Sequence, residues 1–135
     1  MTDNTEQKEK IEVKKIEKTK PDNILNAVRT AAKIADEKKA DYVRILDMRS
    51  RLIITDYFII ISARNTRLTR RIEEDICFDL KRHKLYPKNI TGAIEGNWIL
   101  IDYDDFVVHV FTEEFRQFYD LERLWKDSKE IKWEQ

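Results

Sequence analysis

Trp98-Ile99-Leu100-Ile101-Asp102-Tyr103-Asp104-Asp105-Phe106-Val107-Val108-His109-Val110-Phe111 reads as two strands joined by a tight turn at Asp104-Asp105. A two-residue loop sets Tyr103 opposite Phe106, and each earlier residue opposite a later one. Side chains alternate across a sheet, so this register sorts them onto two faces. Ile99, Ile101, Tyr103, Phe106, Val108 and Val110 make one face, almost wholly apolar. It requires a core. Trp98, Leu100, Asp102, Val107, His109 and Phe111 make the other. That mixed face holds a tryptophan and two ionisable groups, as a binding surface would.

Working upstream, Glu95-Gly96-Asn97 reads as a turn, and a short strand at about 89–94 is interrupted by Gly92. Before it, Asn65 or Thr66 caps a helix with the stripe Leu68, Ile72, Ile76 and Leu80, ending near His83 and Pro87. Tyr57-Phe58-Ile59-Ile60-Ile61-Ser62 is continuously apolar rather than alternating, the pattern of a strand covered on both faces. Ile53-Ile54 is read with it. Tyr42–Leu46 is a further strand. A first helix begins at Pro21-Asp22, capped by Asp22 or Asn23, and its apolar residues fill half the cylinder, as they would against a sheet.

Downstream, Thr112 caps a last helix carrying Phe115, Phe118, Tyr119, Leu121 and Trp125 on one side. The chain after Asp127 is polar apart from Trp133. The order predicts a mixed α/β layer fold of about five strands with flanking helices, not a βαβ repeat. Residues 1–20 read as a charged tail, 21–127 as the domain and 128–135 as a second tail.

Composition narrows the function. At 135 residues a single domain is expected. No run approaches the roughly 18 apolar residues of a membrane span. One cysteine, Cys77, rules out an internal disulfide and a Cys-rich zinc site. Residues 1–20 lack the apolar core of a secretion signal and are too acidic for a usual presequence, so a cytoplasmic location is expected. Net charge is zero, which speaks against strong non-specific nucleic-acid binding. Residues 95–135 hold eleven acids and five bases, a surplus that suits a basic partner.

Candidates for chemistry are few. Two glycines, Gly92 and Gly96, cannot build a phosphate-cradling loop. Asp102 and Asp104 stand two apart, the spacing of a strand-borne Mg²⁺ pair, with Asp47 or Asp56 as further ligands. Turn formation is the simpler use of Asp104. His109 between valines is read as a hydrogen-bonded structural residue. Ser62 and Cys77 carry no sign of a nucleophile. Arg64, Arg67, Arg70 and Arg71 cluster at a helix start, with no aromatic residue interleaved to stack bases. Trp98 with Leu100 and Phe111 suits either an exposed partner patch or a core.

Several stretches together resemble the ribosomal silencing factor family, also called Iojap-like or RsfS proteins. They are residues 35–41, Ile54-Thr55-Asp56-Tyr57-Phe58-Ile59-Ile60, Glu95-Gly96 with Trp98–Tyr103, Val107–Phe111, and Phe118-Tyr119-Asp120-Leu121-Glu122-Arg123-Leu124-Trp125. The resemblance implies a nucleotidyltransferase-like fold without catalysis and without a cofactor. The Gly-Ser that precedes the catalytic carboxylates of that superfamily is missing here. It also implies binding to large-subunit ribosomal protein L-fourteen, which blocks joining of the small subunit and represses translation when nutrients are short. By resemblance the contact residues are Trp98, Asp102, Tyr103 and Tyr119, to which the mixed face adds Leu100, with RNA contact at most peripheral. The family's usual turn is Gly-Asp, where this chain has Asp104-Asp105. Two other readings stand beside this one. One is a Mg²⁺-dependent nucleotidyltransferase-like enzyme using Asp102 and Asp104. The other is a homodimer that buries the Trp98 face.

Overall fold

A computed structural model of the chain describes residues 21–51 and 54–134, with the side chains of Pro21 and Asp22 left aside. The elements are α1 (Pro21–Glu37), β1 (Tyr42–Asp47), β2 (Tyr57–Ala63), α2 (Thr66–Arg82), β3 (Asn89–Thr91), β4 (Trp98–Asp102), β5 (Phe106–Thr112), α3 (Glu113–Phe118), a 3₁₀ turn (Leu121–Leu124) and β6 (Lys129–Ile131). The strands form one mixed sheet in the order β3-β4-β5-β2-β1-β6. Among the described residues only the β2–β5 pair at its centre is parallel.

The hairpin has the register expected of it. Trp98 lies opposite Phe111, Leu100 opposite His109 and Asp102 opposite Val107. The Tyr103 N–H donates to the Phe106 carbonyl at 2.9 Å, closing a two-residue loop. β2 is covered on both faces, as its unbroken apolar run predicts.

Both long helices pack on the face that carries Ile99, Ile101, Phe106, Val108 and Val110. Val28, Ala31, Ala32 and Ala35 of α1, and Ile72, Ile76 and Leu80 of α2, close that core. Alanines let α1 approach the sheet closely, and the stripe of α2 fills the space beside it. Truncating one of these isoleucines to alanine would cost about 2–5 kcal/mol. Asn65 caps α2, its side chain accepting from the Leu68 N–H at 2.8 Å. The described part of α1 already includes Asp22 and Asn23, so neither stands at the cap position ahead of the helix.

The opposite face is covered only in part. Leu46, Met48, Ile60, Phe111 and Trp125 form a smaller core there with Phe115 and Leu121. Three features depart from the sequence reading. α3 is six residues long, because Asp120 takes a positive φ of 48° and diverts the chain into the 3₁₀ turn. Residues 129–131, read as tail, form β6 and pair with β1, bringing the strands to six. Ile54, read with β2, is exposed in a bend before it, and Ile53 lies outside the described residues.

Candidate functional site

The partly covered face presents the side chains of β4. Trp98 is 46% exposed although it stands in a strand. Its indole Nε1–H donates to His109 Nδ1 at 3.2 Å, and its ring lies 5.5 Å from Phe111 and 6.3 Å from Phe115. The two residues are diagonal neighbours on one face of the hairpin, within reach of large side chains. His109 is only 8% exposed. Burial lowers its pKa to about 4, so the ring is neutral and Nδ1 is free to accept. The ring proton therefore sits on Nε2, which is buried without a hydrogen-bond partner among the described residues. Trp98 is thus an exposed aromatic plate held from behind by a buried imidazole.

Leu100 and Asp102 continue this face toward the hairpin tip, both half-buried. Asp102 Oδ1 accepts the Asp104 N–H at 2.8 Å. This bond supports the turn, where Asp104 has φ 75°. The Asp104 carboxylate points to Lys88 Nζ at 3.9 Å. Asp47 lies elsewhere, held by Arg49 through Nε at 2.9 Å and a second nitrogen at 2.7 Å, and that guanidinium lowers its pKa. The carboxylates of a Mg²⁺ reading are thus spread over a turn and an ion pair. No group of three or more potential ligands gathers among the described residues.

Tyr103 occupies the other side of the sheet. It is 6% exposed, stacks on Phe106 at 4.8 Å and donates its hydroxyl to Cys77 Sγ at 3.7 Å. Desolvation raises the pKa of both groups. The pair ties the hairpin tip to α2. Tyr119, at the end of α3, is 55% exposed and packs on Phe115 at 4.7 Å. Of the five residues read as contacts, Trp98, Leu100 and Asp102 share one face. Tyr119 flanks it through Phe115, and Tyr103 is on the reverse. Between Trp98 and the 3₁₀ turn runs an apolar slot of about 140 Å³, walled by Met48, Phe58, His109, Leu121 and Leu124.

The family model described as "Ribosomal silencing factor during starvation" matches residues 21–135. The chain belongs to the ribosomal silencing factor family. It is 32% identical to ribosomal silencing factor RsfS of Bacillus subtilis over 106 residues, which is 78% of this chain and 90% of that protein. It is 34% identical over 101 residues to the chloroplastic Iojap protein of Zea mays, covering 74% of this chain and 43% of that one. A crystal structure from Bacillus halodurans superposes with a TM-score of 0.66 at 29% identity, covering 76% of this chain and 92% of the other. One from Chromobacterium violaceum gives 0.67 at 25% identity, covering 73% and 82%.

In this silencing-factor chain α3 is held beside the face by a network that no sequence pattern revealed. Ser62, fully buried at the end of β2, donates to Glu113, which also binds Arg116 and Gln117. Desolvation opposes ionisation of Glu113, but these donors outweigh it and lower its pKa. Arg116 in turn lies 4.3 Å over the Tyr42 ring, and Trp125 Nε1–H donates to the Tyr42 hydroxyl at 3.0 Å. Ser62 is therefore structural. The four arginines at the start of α2 also separate. Arg70 donates to the Ala93 and Ile94 carbonyls at 3.1 Å each, and Arg71 to Asp75 at 3.3 Å. Arg64 and Arg67 are exposed.

Proposed function

We propose that the protein binds the large ribosomal subunit through ribosomal protein L-fourteen and sterically blocks joining of the small subunit, repressing translation under nutrient limitation. The proposed setting is the cytoplasm. The reading is supported by family membership and carried by one observation: Trp98 is exposed yet fixed by His109, with Leu100 and Asp102 beside it. A held aromatic side chain has less rotamer freedom to lose on association, and tryptophan supplies much of the energy at interface centres. Asp102 and the acidic surplus of residues 95–135 complement a basic partner. Tyr119 extends the surface. Tyr103, buried at the hairpin tip, anchors that tip to α2 and reaches the partner only at the edge of the core. Occupancy alone produces the effect; the mechanism makes and breaks no covalent bond.

Co-sedimentation with isolated large subunits tests this. The wild-type chain is expected to pellet with them. Trp98→Ala should weaken binding by at least about 2 kcal/mol. Trp98 is half exposed, so the variant should still fold. Failure of the wild type to bind at micromolar concentration would reject the reading.

A further inference from the structure

At the carboxyl ends of β2 and β5 the fold brings together groups that are far apart in sequence. Arg64 and Asn65, Asn97, and Glu114, Phe118 and Tyr119 line one cleft of about 490 Å³. We propose that this cleft binds an unpaired nucleotide of single-stranded RNA, with Phe118 stacking on the base and Arg64 meeting the phosphate. The inference goes beyond the protein contact proposed above and does not depend on it, although the two surfaces share Tyr119.

The aromatic pair carries the first half. Phe118 is 79% exposed, and its ring meets Tyr119 edge to face at 4.9 Å. Neither ring belongs to a core cluster. The rings stand nearly perpendicular, so one base stacks on the face of Phe118 alone while Tyr119 buttresses that ring. Charge carries the second half. Arg64 and Arg67 sit at the amino end of α2, where the helix dipole is already positive, and neither has an acidic partner among the described residues. An anion resolves that repulsion. Arginine suits phosphate because its donors form a planar fork.

The remaining groups suit a base edge. Asn65 spends its carbonyl oxygen on the α2 cap and keeps its amide donors. The Asn97 carboxamide has no partner among the described residues, so it offers both a donor and an acceptor. Glu114, on the α3 side, repels phosphate and so directs it toward Arg64. The sequence alone shows no aromatic residue among these arginines; the fold supplies the pair from α3 and the residue that follows it.

Fluorescence anisotropy with short labelled adenine and cytosine homopolymers tests the proposal. The wild-type chain should bind, and added salt should weaken binding. Phe118→Ala should lower affinity about tenfold or more. Arg64→Ala should reduce the salt dependence by about one phosphate contact. Arg82→Ala, on the far end of α2, should change nothing, and circular dichroism of each variant confirms folding. Trp98→Ala should leave oligonucleotide affinity intact while weakening large-subunit binding, so the two readings fail separately. No binding at high micromolar protein, or binding indifferent to both Phe118 and Arg64, would overturn the proposal. Loss of large-subunit binding in Phe118→Ala without any oligonucleotide binding would also overturn it, by assigning the aromatic pair to a protein partner.

Discussion

His109 links the stability of the molecule to the presentation of Trp98. Its pKa falls from 6.5 to about 4 because burial disfavours the imidazolium. The unfolded chain therefore binds a proton between those values while the folded chain does not. Stability is fully present above pH 6.5 and is lost as pH falls toward 4, by on the order of 3 kcal/mol. Chemical denaturation from pH 7 to pH 4 should show this slope, and His109→Gln should flatten it. A wild-type slope unchanged in the variant would assign the effect to carboxylates. The structural role of His109 was legible from its valine neighbours. Its partner followed from the register, which places Trp98 diagonally beside it. Tyr103 shows the opposite case. Periodicity put it on the core face, where it is, and resemblance alone made it a contact.

At the level of elements, the hairpin was readable because strict alternation admits one register. Its turn is the strained part. Asp104 has φ 75°, a conformation that favours glycine. Asp104→Gly relieves that strain at the expense of a more flexible unfolded chain and a weak pair with Lys88. The net gain should be about 1 kcal/mol, seen as a higher denaturation midpoint. A lower midpoint would show that the Asp104 side chain stabilises the turn more than its backbone strains it. The last helix was less legible. Phe115, Phe118, Tyr119 and Trp125 fit a continuous helical wheel, yet the chain breaks at Asp120. Trp125 still reaches the core because the 3₁₀ turn carries it to the Tyr42 hydroxyl. That hydrogen bond spans 83 positions, and no local pattern encodes it.

For the molecule as a whole, β6 is the element that sequence reading missed. Lys129-Glu130-Ile131 is too short and too polar to announce a strand. It closes the β1 edge, Ile131 and Trp133 pack against the main core, and Arg29 of α1 donates to the Lys132 carbonyl at 3.2 Å. Deleting residues 128–135 should therefore cost at least about 2 kcal/mol. It should also bare an edge strand and promote self-association, measurable by light scattering. Unchanged stability and monodispersity would mean that the β1 edge needs no cover. The position of β6 also bears on how the chain is made. β1 is synthesised early, but its outer partner is residues 129–131, and the parallel partner of β2 is residues 106–112. A nascent chain cannot complete this sheet until both segments have left the exit tunnel. Its early strands can pair only with each other, leaving both outer edges of that two-stranded ribbon open and its apolar faces incompletely covered, so a pause in synthesis between residues 63 and 106 would expose an aggregation-prone intermediate of the protein.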